Sequence, residues 1–282
     1  MRPCFFATDL HGRHDRYRKL FAAVRDERPS ALFLGGDLLP HAGSSLADGA
    51  TFVQDVLAAG CAALRAHLGE EAPRVYVVLG NDDPRGLEPL LRDGEARGLW
   101  EYVHGRKAQL EAYPVYGYAC VPPTPFRLKD WERYDVSRYV DPGCVSPEEG
   151  LRTVPVHENE IRFGTIAKDL DALVGEDPLQ HAIFLLHSPP YGVLDRAALD
   201  GTKVESVPVD VHIGSIAITR FIESRQPLVT LHGHVHESAR LEGTWRARIG
   251  RTQLFSAAHD GSELALVRFD PADPDQATRE LL

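Results

Sequence analysis

Apolar runs of four or five residues alternate with longer stretches of helical period through the first third of the chain, a pattern that predicts βαβ units and a mostly parallel sheet. Cys4 to Ala7 reads as the first strand, and Asp15 to Glu27 as a helix with Leu20, Phe21 and Val24 on one face. Ala31 to Leu34 is the second strand. A Gly- and Ser-rich loop leads to a helix from about Ala50 to Leu68, then to the strand Val75 to Leu79 and a helix over Leu87 to Arg97. From Tyr113 to Pro155 the alternation fails. The prolines, aromatics and charges of VPPTPFRLKDWERYD and DPGCVSPEEG show no period, which predicts an inserted loop or lid at about 119–157. Periodicity resumes with a helix over Thr165 to Val174, the strand Ala182 to Leu186, a helix over Ile216 to Glu223 and the strand Leu228 to Leu231. Gln253 to Ser256 and Glu263 to Phe269 read as successive antiparallel strands, and DPADPDQATRELL as a tail. Residues 1–270 are therefore expected to form one domain, with 271–282 trailing from it.

Composition narrows the class. A chain of 282 residues, 43% hydrophobic, is long enough to bury a substantial core. Its formal charge of −10 repels polyanions, so nonspecific binding to nucleic acid or anionic membrane is disfavoured. No stretch reaches the roughly 18 continuous apolar residues of a spanning helix. Cys4, Cys61, Cys120 and Cys144 are scattered and form no CxxC pair, so neither a disulfide framework nor a zinc ribbon is indicated, and a reducing cytoplasm is expected.

The chemistry lies at the carboxyl end of each apolar run. FFA is followed by Thr8-Asp9-Leu10-His11, LFL by Gly35-Gly36-Asp37, VVL by Gly80-Asn81-Asp82-Asp83, IFLL by His187, and VTL by His232-Gly233-His234-Val235-His236. In open α/β sheets ligands gather outside the carboxyl ends of the strands, so five endings spread over most of the chain are expected to converge. Taken alone, LGNDDP (Leu79 to Pro84) is a turn sequence, because Asn, Asp and Pro all favour turns. Taken with the other four endings it reads as the rim of a metal site. Imidazole nitrogen with carboxylate and carboxamide oxygen suits a divalent first-row metal such as Mn, Fe, Ni or Zn.

In that order, Asp9-Leu10-His11, Gly36-Asp37, Gly80-Asn81-Asp82, His187 and Gly233-His234-Val235-His236 resemble the calcineurin-like metallophosphoesterase superfamily over about Cys4 to Asp260. The resemblance implies a four-layer α/β/β/α sandwich of two mixed β-sheets flanked by helices. It also implies two divalent metal ions: Asp9, His11 and His236 on one, Asn81, His187 and His234 on the other, and Asp37 bridging both. Two dications ~3.5–4 Å apart acidify a bridging water, polarise phosphoryl oxygens and stabilise an in-line displacement. The expected activity is hydrolysis of a small-molecule phosphoester.

One position departs from the pattern. Most phosphomonoesterases of the superfamily carry GNH[DE], whose histidine contacts the phosphate, whereas this chain has Asp82 there, followed by Asp83. A carboxylate with an intrinsic pKa of ~4 beside dications is a poor general acid and repels a dianionic monoester more than a monoanionic diester. A phosphodiester is therefore the expected substrate class, with Asp82 and Asp37 as catalytic candidates. Asn81, His212 and Lys129 are candidate substrate contacts. His212 stands just before Gly214-Ser215, where either a phosphate at the helix N-terminus or a simple Ser215 cap is open. Phe126, Lys129, Trp131 and Arg133 form either a wall over the metals or a packed aromatic cluster. His41, His67, His104, His157 and His181 are expected on the surface or in satisfied hydrogen bonds. Three alternatives accompany this reading: a phosphomonoesterase, a nuclease of the same fold, and a scaffold that has lost its metals, as in the retromer subunit of this fold. With all seven ligand positions filled, the scaffold is disfavoured.

Overall fold

The computed structural model describes residues 2–41 and 45–282. The first apolar runs become parallel neighbours: β1 (Cys4–Ala7), β2 (Ala31–Gly35), β3 (Arg74–Val78) and the short β4 (Glu101–Tyr102). Their crossovers are α1 (His14–Glu27), then α2 (Leu46–Phe52) and α3 (Ala59–Leu68) joined by a π-helical stretch over Val53–Ala58, and α4 (Glu88–Ala96). In α1 the spacing of Tyr17, Leu20 and Val24 puts all three on the buried side, and Arg28 ends the helix in the left-handed region just before Pro29. The helix expected from Ala50 begins four residues earlier, because Ser45 and Asp48 form a reciprocal cap.

The second half repeats the plan. β5 (Arg106–Leu110) and β6 (Tyr113–Tyr118) form a hairpin, and α5 (Glu158–Phe163) and α6 (Ile166–Val174) precede β7 (Ile183–Leu186). A small hairpin of β8 (Lys203–Val204) and β9 (Val207–Pro208) is followed by α7 (Ile216–Arg225), β10 (Val229–His232) and α8 (Ser238–Glu242). β11 (Arg246–Ile249), β12 (Thr252–Ser256), β13 (Ala265–Asp270) and β14 (Asp273–Leu281) complete the chain.

Two mixed six-stranded sheets result, ordered β14-β13-β1-β2-β3-β4 and β11-β12-β10-β7-β6-β5. β2 meets β7 and β3 meets β6, while α1 packs on α3 and α6 on α7, which gives the α/β/β/α layering. Phe255 of one sheet and Phe269 of the other meet at 5.8 Å between the sheets. β1, β2, β7 and β10 are buried along their whole length, as strands covered on both faces must be. The parallel register aligns their ends: Ala7 lies beside Leu34, Gly35 beside Val78, and Leu186 beside His232. The loops beyond these ends therefore open along a common edge.

Three expectations need correction. The segment expected as a tail over 271–282 is an edge strand, with β14 antiparallel to β13. An edge strand with one exposed face needs few apolar residues, and inward-facing Ala277 supplies the buried position that DPDQATREL otherwise hides. The two late strands are not partners, since β12 joins β10 in one sheet and β13 joins β1 in the other. β6 escaped notice because YPVYGY carries Pro and Gly inside a strand, yet it pairs in parallel with β7. The insertion expected as a loop or lid at 119–157 is a loop, and a packed one. Trp131 and Tyr134 are buried, and the indole Nε1 of Trp131 donates to the Asp83 carbonyl at 2.8 Å.

Candidate metal centre

Each strand ending delivers its polar residue through strained or tightly packed backbone. Asp9, His11, Asp37 and His234 all have positive φ, at 54°, 46°, 50° and 71°. Such conformations cost roughly 1–3 kcal/mol each for a residue with a side chain and persist where the surrounding structure holds them. Hydrogen bonds do so here: the Asp9 amide donates to the Gly36 carbonyl at 2.9 Å and the His11 amide to the Asp37 carbonyl at 2.8 Å. The His234 amide donates to Asp9 Oδ1 at 3.0 Å. Gly80 is required by crowding, since a Cβ there would sit 2.3 Å from Asp37 Oδ1 and 2.6 Å from His187 Nε2.

The side chains gather in two groups that share Asp37. In the first, Asp9, His11, Asp37 and His236 bring one ligand atom each within 4.8 Å of the others. His11 Nε2 faces His236 Nε2 at 3.0 Å, His236 Nε2 lies 3.2 Å from Asp9 Oδ1, and His11 Nε2 lies 3.9 Å from Asp37 Oδ2. In the second, His187 Nε2 lies 3.4 Å from Asp37 Oδ2 and 3.1 Å from Asn81 Oδ1, and the His187 and His234 rings stand 5.4 Å apart. Asp37 Oδ1 accepts the Asp82 amide at 2.8 Å, which turns Oδ2 toward both groups. His187 Nδ1 donates to the Gly35 carbonyl at 2.8 Å, so Nε2 presents its lone pair to the centre. Nitrogen and oxygen lone pairs converging in this way fit borderline divalent cations in both groups.

The electrostatics follow from burial and neighbours. Burial alone would raise Asp37, but the His187 and His11 imidazoles outweigh it and hold the carboxyl far below its usual range. Asp9 is likewise lowered against burial by His236 and His187. Burial would depress His11 and His187, yet the facing carboxylates lift both to about 9: Asp82, Asp37 and Asp9 for His11, and Asp37 and Asp9 for His187. His234 goes the other way, to about 3, pushed down by burial and by His187. The protein alone thus builds a carboxylate-rich pocket that draws in positive charge.

Asp83 and Asp82 do different work. Asp83 is fully buried, and its carboxylate accepts the amides of Leu38 at 3.1 Å, Leu39 at 2.8 Å and Gly80 at 2.9 Å. It ties the Asp37 loop to the Asn81 loop. Asp82 is at the rim, where its carboxylate accepts from His41 and lies 3.3 Å from His11 Nδ1. His41, expected on the surface or in a satisfied hydrogen bond, is both exposed and bonded to Asp82, and it also stacks on the His11 ring at 4.5 Å. Its place four residues after Asp37 on the same loop was the available signal.

The model of the calcineurin-like phosphoesterase family matches residues 3–238. The chain belongs to that family. Members are metal-dependent phosphoester hydrolases that normally bind a dinuclear metal centre, and the side chains gathered here include candidate ligand clusters. The crystal structure of TT1561 of Thermus thermophilus superposes with a TM-score of 0.59 at 17% identity, covering 99% of this chain and 98% of that one. A dimetal phosphatase from Danio rerio gives 0.51 at 13% identity over 94% and 92%. Phosphopantetheinyl hydrolase from Mycobacterium tuberculosis gives 0.51 at 13% over 91% and 89%. At these identities the likeness is one of fold. A search among curated proteins finds no significant match.

Two expected substrate contacts, Lys129 and His212, are engaged by other protein groups. Lys129 is buried in the insertion, where its ammonium donates to Glu132 and, at 2.9 Å, to the Thr124 carbonyl. It does not project toward substrate. His212 donates through Nδ1 to the buried Asp195 carboxylate at 2.7 Å. The α7 N-terminus behind it is filled by protein: Ser215 caps Ile218, and Asp135 from the insertion accepts the Ile216 and Ala217 amides at 2.7 and 3.1 Å. A carboxylate thus occupies the place a phosphate would take. Arg133 pairs with Asp169 and Glu160, and Phe126 is exposed on the insertion. Among the described residues no helix is long and apolar enough to cross a membrane.

Proposed function

We propose that the chain is a binuclear hydrolase of small-molecule phosphoesters, with phosphodiesters preferred. The carrying observation is that Asp37 Oδ2 stands between two separate ligand groups, 3.9 Å from His11 Nε2 and 3.4 Å from His187 Nε2. Asp9, His11 and His236 would hold one divalent ion, Asn81, His187 and His234 the other, and Asp37 both. When bound, the pair would lower the pKa of a water and polarise the phosphoryl oxygens. The chain's own part is to fix the ligands through the 9–11, 36–37 and 80–83 backbone bonds, and to keep all but the rim dry. His187 and Asp9 are fully buried and Asp37 nearly so, whereas the His236 and Asp82 side chains remain 34% and 26% exposed. Those two mark the mouth through which substrate enters.

Diester preference is supported by charge. Asp82 adds a carboxylate at the mouth, which opposes a dianionic monoester more than a monoanionic diester. The four free cysteines accord with a reducing cytoplasm, and the overall charge of −10 favours small substrates over nucleic acid. The metal-reconstituted enzyme should cleave bis-p-nitrophenyl phosphate faster than p-nitrophenyl phosphate, and Asp82→Asn should narrow the ratio. A wild-type enzyme far faster on the monoester contradicts the diester reading while leaving phosphoester hydrolysis intact.

A further inference from the structure

His41 combines features that an ordinary surface histidine lacks. Its side chain is 70% exposed, yet the ring is held by two contacts. It stacks on His11 at 4.5 Å with the planes 23° apart, and its Nδ1 is bonded to Asp82 Oδ2. Its backbone is positioned from below: Asp83 holds the Leu38 and Leu39 amides, the Gly12 amide donates to the Leu38 carbonyl at 3.0 Å, and Pro40 packs so closely on Gly12 that a Cβ there would lie 2.7 Å from the proline ring. Immobilising an exposed side chain costs conformational entropy that a solvent-facing ring has no structural reason to lose.

The geometry also says what the cluster is not. His11, His41 and Asp82 bring ligand atoms within 4.8 Å of one another, which by itself would suit a further cation. His11 Nε2 already faces Asp9, Asp37 and His236, however, and a neutral imidazole has only one lone pair to offer. With Nε2 as the lone-pair atom, Nδ1 carries the single ring proton. That atom is buried and makes no well-directed hydrogen bond, but lies 3.3 Å from Asp82 Oδ2, so the carboxylate sits between two imidazole Nδ1 atoms. A carboxylate behind a metal-facing histidine is a positioning group. Asp82 plays that part for His11 and His41 together, and with Nδ1 engaged, the exposed His41 ring has its Nε2 left for another partner.

We propose that His41 is a substrate-contacting residue, its Nε2 meeting an oxygen of the phosphoester bound at the metal centre, with Asp82 as the residue that positions it. The inference rests on the binuclear reading above and adds a residue to it. Inorganic phosphate is the probe, titrated calorimetrically into metal-loaded protein, with the metal content of each sample measured. His41→Ala should weaken phosphate binding about tenfold or more at unchanged metal content and thermal stability, and His41→Gln should recover part of the loss. In the Asp82→Asn background the His41→Ala substitution should cost clearly less than it does in wild type, because the two residues act through one contact. Phosphate affinity within twofold of wild type in His41→Ala overturns the proposal, as does a fall in its metal content, which would make His41 a cation ligand. Wild-type protein that binds neither metal nor phosphate overturns the binuclear reading with it, whereas loss confined to the variants does not.

Discussion

At the scale of single residues, identical side chains are driven in opposite directions by what faces them. His11 and His187 look onto carboxylates and are raised to about 9. His104, half-buried, and His232, fully buried, face no carboxylate among the described residues, and burial, joined at His104 by the Arg85, Arg133 and Arg92 charges, lowers them to about 3 and about 4. His104 accepts the Ala119 amide on Nδ1 and sits edge-on to Trp131 at 4.8 Å, while His232 bonds the Ser188 carbonyl and Thr230. A histidine lowered in the folded state binds its proton only after unfolding, so it costs stability as pH falls below the ordinary 6.5 and stops doing so near the folded value. For His104 that window runs from about 6.5 to about 3, with a slope of about 1.4 kcal/mol per pH unit. Urea unfolding at several pH values below 6 should therefore show a shallower loss of stability in His104→Gln than in wild type, by about that slope. Equal slopes would mean that His104 is not buried neutral. His41 and Asp83 were less legible in the sequence, since one meets the other candidates through a ring stack and a bond to Asp82 and the other through backbone amides, and neither contact follows from residue spacing.

At the scale of elements, the central strands and their crossover helices were readable because strands covered on both faces must be continuously apolar, and their helices must show a buried face. The edges were not readable. β5, β11 and β14 each expose one side and mix charge with small residues, and β6 places Pro114 and Gly117 within a strand. The insertion was legible only as an interruption. Its order comes from tertiary bonds: Asp130 accepts the Arg85 amide, Thr153 the Gly86 amide, and Asp135 the first amides of α7. Lys129 and Glu132 form its buried centre, with Glu132 further bonded to Thr124. Removing one partner of a buried pair leaves an uncompensated charge and typically costs about 3–5 kcal/mol. Lys129→Ala should accordingly lower unfolding free energy by about 3 kcal/mol while leaving KM for bis-p-nitrophenyl phosphate unchanged. A raised KM with intact stability would restore Lys129 to the substrate.

At the scale of the whole molecule, two sheets built on one plan bring their strand ends to a shared edge. β1, β2 and β3 of the first sheet supply Asp9, His11, Asp37 and Asn81, and β7 and β10 of the second supply His187, His234 and His236. The centre exists only where the sheets meet, which is why its seven candidate ligands are spread over more than 220 residues of sequence while four of their ligand atoms fall within 4.8 Å. Asp37 joins the halves, with Oδ2 toward both ligand groups and Oδ1 held by the Asp82 amide. The most direct measurement of this account is therefore metal stoichiometry. Chelator-stripped protein, reconstituted with a single divalent metal and freed of excess, should retain two ions per chain by elemental analysis, and Asp37→Ala should retain at most one while remaining folded. Wild-type protein that retains one ion or none, or an Asp37→Ala variant that still holds two, would contradict a centre bridged by Asp37.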